Sequence, residues 1–140
     1  MSLDEKAWQA ARERIARAAK AAGRNPSAVR LLAVSKTRPA GAVREAWGLG
    51  QRAFGENYVQ EAAGKRAELA DLAGIEWRLI GPLQSNKTAL AAEVFDAVES
   101  VDRLKIAERL SAARPADRLP LEVLVQVNIS GEASKSGVAP

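Results

Sequence analysis

The stretch RLLAVSK, residues 30–36, decides the fold. It is a short, unbroken apolar run between polar residues, the pattern of a strand covered on both faces in a parallel sheet. Pro39 follows near a helix start, where its missing N–H costs little. That helix is expected to reach Trp47 and to stop at Gly48 and Gly50. Upstream, Ser2 and Glu5 have capping-box spacing. Trp8, Ala11, Ile15, Ala18, Ala19 and Ala22 recur at helical spacing until Gly23 and Asn25-Pro26 end the helix.

The strand-then-helix unit repeats downstream. A second strand is expected near 52–55, with a helix from Asn57, which with Gln60 completes a capping box. A third, 75–80, ends at Gly81-Pro82, and Ser85 is placed to cap the next helix. A fourth lies near 97–101 before Asp102, read as another cap. A fifth, 121–129, follows Pro120 and ends in the turn-rich SGEASKSG. Strand starts at 30, 52, 75, 97 and 121 are about 22–24 residues apart with a helix in each gap. Parallel strands need such crossovers, so the class is α/β. Equal units favour a (β/α)8 TIM-type barrel. The alternative is a doubly wound open sheet, but its G-x-G-x-x-G turn is absent after the first strand. A complete barrel takes eight strands and roughly 250 residues. The expectation is therefore a single domain over 1–140 holding about five of the eight strands, which would make the chain part of a larger barrel.

Composition narrows the chemistry. The 140 residues are 47% hydrophobic and 27% charged, enough for both a core and a polar surface. No apolar run nears the roughly 20 residues of a membrane span. The start, MSLDEKAWQA, lacks the apolar region of a signal peptide. A cytoplasmic location is expected. Cys and His are both absent, which excludes disulfides, thiol nucleophiles, Ser-His-Asp triads and the usual zinc sites. The net charge of +4 is spread among acidic residues and only 4% of residues are aromatic, so nucleic-acid binding is not expected. A small anionic ligand suits the charge.

Barrel chemistry gathers at the carboxyl ends of strands. There the chain places Ser35-Lys36-Thr37, Gly55-Glu56-Asn57, Gly81-Pro82, Asp102 and Asn128. Lys36 closes an apolar strand and shares a face with Leu32 and Val34. Desolvation at a barrel mouth disfavours an ammonium, and a neutral amine attacks aldehydes to form Schiff bases. The plainer alternative is a lysine reaching for water. On the fifth strand, if Val123, Val125, Val127 and Ile129 pack on helices, alternation turns Gln126 and Asn128 inward, where they would orient a ligand; the alternative is an edge strand with a wet face.

Five segments together resemble the pyridoxal 5′-phosphate (PLP) homeostasis protein family, also called the YggS/PROSC family. They are LLAVSKTRP (31–39), FGENYVQEA (54–62), EWRLIGPLQSNK (76–87), the stretch ending ESVDR (99–103) and VQVNISGEASKSG (125–137). The resemblance implies a barrel like that of the fold-type III alanine racemases, without their second domain. It implies an internal aldimine between PLP and Lys36, with Asn57 near the cofactor. It also implies a role in PLP buffering and vitamin B6 balance without general catalytic activity, and transient contact with PLP-dependent apo-enzymes.

Two departures stand out. The family commonly has histidine after the tryptophan of EWRLIG, where this chain has Arg78; a structural ion pair or surface role is expected for it. The later segments that hold the phosphate in the family are not in these 140 residues. Lys135, in SKSG, matches a family position but sits in a Gly/Ser-rich loop, where a solvated role is expected. Two other functions compete. A racemase needs a base on each face of the substrate carbon, and beyond Lys36 only Tyr58 stands near the motif. An interaction module would bind no cofactor.

Overall fold

Asp4 starts the first helix in the computed structural model, which describes residues 3–140. Its carboxylate accepts from the Ala7 amide at 3.0 Å and caps α1, Glu5–Ala21. Ser2, half of the expected capping box, lies outside the described residues. Trp8, Ala11, Ile15 and Ala19 face the protein, whereas Ala18 and Ala22 are exposed. The Trp8 indole donates to Gln51, tying α1 across the start of the sheet.

Five strands follow: β1 (Ala33–Val34), β2 (Ala53–Glu56), β3 (Glu76–Leu79), β4 (Ala97–Val101) and β5 (Glu122–Val125). Between them run α2 (Ala40–Gly48), α3 (Val59–Glu68), α4 (Thr88–Val94, after a 3-10 turn at Ser85–Lys87) and α5 (Leu104–Ala113). All neighbours pair in parallel and the spatial order is β1-β2-β3-β4-β5. A doubly wound sheet reverses its strand order partway, so this order excludes it. The order is that of successive βα units of a barrel, and the (β/α)8 TIM-type expectation holds for five strands.

The core lies on one side of the sheet. Phe54, Trp77, Leu79 and Val98 point from successive strands towards the helices, where Val43, Ala62, Ala91, Ile106 and Leu110 meet them. The Phe54 and Trp77 rings meet at a tilt of 39° with centres 6.0 Å apart. Small helix residues let each helix lie close to the sheet, and burial of the large ones is the main stabilising term, at ~25 cal/mol per Å².

The other face is charged. Arg78 is its hub: the guanidinium donates to Glu99 at 2.9 Å, to Glu76 at 2.8 Å and to Glu122 at 3.1 Å. Arg30 also pairs with Glu76, at 2.5 Å. Burial works against the Arg78 charge, but hydrogen bonds to Glu122 and Glu99 outweigh it and raise its pKa. The same contact holds the Glu122 carboxyl below its ordinary value. The structural role expected for Arg78 is thus what the geometry gives. Arg78→His removes the fork from three acceptors at once. It is expected to lower the unfolding free energy by about 3 kcal/mol, the low end for breaking a buried ion pair because Glu122 is half exposed. Urea unfolding measures this; a change under about 0.5 kcal/mol, ordinary for a surface substitution, would show that the cluster contributes little.

Two strands differ from expectation. Only Ala33 and Val34 of the 30–36 run pair as β1, and Val34 is 54% exposed. The run is covered on its helix side alone. On β5 the valines do not pack on helices: Val125 is 65% exposed, because α5 lies against β4. No helix among the described residues is long and apolar enough to cross a membrane.

Candidate functional site

Ser35, Lys36 and Thr37 form the turn leaving β1. Ser35 is buried on the helix side; its amide donates to the Gly55 carbonyl at 2.9 Å, continuing the ladder one residue past Val34. Lys36 is exposed, and its amine has no protein partner among the described residues. Thr37 adopts φ 62°, the left-handed region that is costly for a β-branched residue.

Asn57 stands at the equivalent place on β2, two residues beyond Gly55, the register partner of Val34. It does not cap α3. That helix begins at Val59 with Tyr58 at the cap position and no side-chain cap, so the capping box with Gln60 does not form. The Asn57 amide is half-buried and has no protein partner among the described residues, which leaves both its donor and its acceptor for a ligand. Gly81, at the end of β3, fixes where Asn57 lies. A Cβ on Gly81 would sit 2.5 Å from the Asn57 carbonyl oxygen and 2.9 Å from its Cα, so only glycine lets the two strand ends approach. Sequence alone presented Gly81-Pro82 as a strand stop.

The other strand-end groups serve the backbone. Asp102 accepts from the Gly137 amide at 3.2 Å, while Arg103 takes the cap position of α5. Ser85 opens a 3-10 turn behind Gln84 and does not cap it. Gln126 and Asn128 do not wait for a ligand: Gln126 donates to the Ser136 carbonyl, and Asn128 donates to the carbonyls of Glu132 and Lys135 and accepts from the Gly131 amide. Together they fold the loop at 130–137, in which Lys135 is exposed. Tyr58 is 61% exposed.

Sequence reasoning missed a buried cluster directly beneath the turn. Lys65 of α3 donates to the Ser35 carbonyl at 2.7 Å, to Glu56 at 2.6 Å and to Glu61 at 2.9 Å. Ser35 Oγ donates to the same Glu56 oxygen at 3.0 Å, and the Thr37 amide donates to Glu61 at 2.7 Å. The Lys65 side chain is 7% exposed and that of Glu56 fully buried. Burial pushes the Glu56 carboxyl up, and Lys65 and Ser35 pull it back; Lys65 holds Glu61 below its ordinary value. Only the Glu61–Lys65 spacing of one helical turn was visible in the sequence.

Five parallel strands in sequential order, each joined to the next through a helix, define part of a β/α-barrel domain. Residues 7–140 match the model of the alanine racemase N-terminal domain, and the chain belongs to that family. It is 67% identical over 127 residues to the pyridoxal phosphate homeostasis protein of Pseudomonas aeruginosa, covering 91% of this chain and 55% of that one. It is 55% identical over 129 residues to the Escherichia coli K12 protein of the same name, with the same coverage. Among solved structures it resembles PipY of Synechococcus elongatus with PLP bound, with 44% identity and a TM-score of 0.75, over 89% of this chain and 57% of that one. The resemblance to PLP-homeostasis proteins therefore holds, and the Pseudomonas and Escherichia relatives carry that name and not a racemase's. The chain spans about half the length of the curated relatives it matches.

Proposed function

We propose that this chain is the part of a PLP-homeostasis protein that captures PLP, as a Schiff base on Lys36. The observation that carries this reading is the Lys36 amine at the end of β1 beside the Asn57 carboxamide at the end of β2, both without a protein partner among the described residues. These residues fit the group chemically: a nucleophilic amine for an aldehyde, and a neutral donor and acceptor for a polar ring substituent. When bound, PLP supplies an aldehyde carbon that condenses with an amine with loss of water.

The residues of the chain do the rest. Lys36 presents its amine to solvent at the strand end, where a small ligand can reach it. Asn57, held by the close approach of Gly81, orients what arrives. Arg78 sits within the charged cluster of the inner face with its donors already engaged, so Arg78→His should leave PLP binding within a few-fold even as it lowers stability. The reading takes 1–140 as one domain and the role as carrier or buffer, with PLP-dependent apo-enzymes of the cytoplasm as recipients and no reaction catalysed on a substrate.

Absorbance spectra with and without PLP, before and after borohydride, test it. A saturable new band that reduction converts into a stable protein adduct is expected. No band at saturating PLP would leave an interaction module without cofactor. Racemisation of amino acids in the presence of PLP would replace the carrier with an enzyme.

A further inference from the structure

The chain buries its most costly charges beneath the turn that carries Lys36. A buried ion pair is an expensive way to join two elements, since well-packed apolar residues usually serve stability as well or better. Here Lys65 and Glu56 are both almost wholly buried, and Glu56 Oε2 has no hydrogen-bond partner among the described residues. An ammonium has three donors, and all three are spent: on Glu56, on Glu61 and on the carbonyl of Ser35. Glu61 in turn accepts the amide of Thr37. The residue before Lys36 and the residue after it are thus tied to one ammonium–carboxylate pair. Thr37 is also the only non-glycine residue with positive φ among those described. Such strain persists only where surrounding contacts over-determine it.

We propose that Lys65 and Glu61 of α3, seated on Glu56, are positioning residues that clamp the turn at 35–37 from the helix side and so hold the Lys36 amine in one place over the strand ends. The clamp touches no ligand. It acts through the backbone on either side of Lys36, reducing the freedom that PLP capture would otherwise have to remove. This inference rests on Lys36 being the PLP lysine.

The test separates the two claims. Hydrogen exchange at the Thr37 amide, without PLP, reports the clamp; PLP titration followed by reduction and peptide mapping reports its use. Glu61→Ala removes a partly buried acceptor of the Lys65 ammonium, so the melting temperature should fall by roughly 3–8 °C with unfolding still cooperative. Thr37 exchange should quicken and the PLP dissociation constant rise, each by about ten-fold or more, the worth of a hydrogen bond to a charged group. Glu61→Gln retains an acceptor oxygen and should recover most of both. If Glu61→Ala does not fold, Glu56→Gln combined with Lys65→Met removes the buried charges at near-constant volume and should show the same two losses. Unchanged Thr37 exchange in Glu61→Ala or the double variant overturns the clamp. Quickened exchange with PLP affinity within two-fold of wild type overturns its role in capture. A wild-type protein that traps no PLP on Lys36 overturns the functional reading itself, which the exchange data do not touch.

Discussion

Lys36→Ala should abolish the saturable PLP band and reduce affinity by at least about a hundred-fold, a loss of some 2.7 kcal/mol or more. Access and position single out Lys36. Among lysines near the sheet, Lys65 is closest to the turn, yet it is 7% exposed and its three N–H groups are occupied. Lys87 ends the 3-10 turn at the cap of α4 and lines a cavity with Asn57 and Tyr58, Lys105 lies on α5, and Lys135 is in the loop folded by Asn128. None of them closes a strand beside a free carboxamide. Lys36→Arg sharpens the test. Arginine keeps the charge but stays protonated and forms no imine, so it should lose trapping as completely as alanine while keeping some non-covalent attraction for the phosphate. Peptide mapping after borohydride decides the matter. A saturable adduct that persists on Lys87, Lys105 or Lys135 in Lys36→Ala would sink the assignment.

The repeat was legible because parallel strands between helices must be apolar on their covered face, and helices must repeat at 3.6. Residues 97–101 were placed to the residue, and β2 and β3 to within a residue or two. The ends of elements were less legible. Asn57, Ser85 and Asp102 all have the chemistry of helix caps, and none caps its helix. Asp102 is taken by Gly137, 35 residues away, which no local pattern reveals. Gln126 and Asn128 had the right face for a ligand, but the carbonyls of a loop reach them first. Lys36 could be picked out because a charge ending an apolar run is locally odd. The support beneath it could not: Glu56 and Lys65 are nine residues apart, on a strand and a helix, and meet only once β1, β2 and α3 are packed. Strand alternation did place Arg78 with Glu76, but its partners Glu99 and Glu122 needed the sheet order.

Expressed as 140 residues alone, this polypeptide should be marginally stable or self-associated. β1 and β5 end the sheet among the described residues, and each leaves a row of backbone groups free to pair. The edges also carry apolar surface: Val34 is 54% exposed, Val125 65% and Ile129 83%, with Val123, Leu124 and Val127 close behind. In a closed barrel such residues meet partners from further strands. At ~25 cal/mol per Å², half-burying a handful of them is worth several kcal/mol, a large part of an ordinary stability of about 5–15 kcal/mol. The Arg78 cluster on the inner face braces β3, β4 and β5 against one another but pairs no backbone group at either sheet edge. Analytical ultracentrifugation with thermal melting should therefore separate the 140 residues from a version continued by the C-terminal part of the Pseudomonas aeruginosa relative. The longer chain is expected to melt cooperatively at higher temperature, to lose any association through the sheet edges, and to hold PLP more tightly, because resemblance places the phosphate-binding turns in that later part. A 140-residue monomer that melts in one step above about 60 °C, the upper part of the mesophile range, and binds PLP as tightly as the longer chain would overturn this account. It would mean that residues on the exposed edges of β1 and β5 find partners the strand order does not provide.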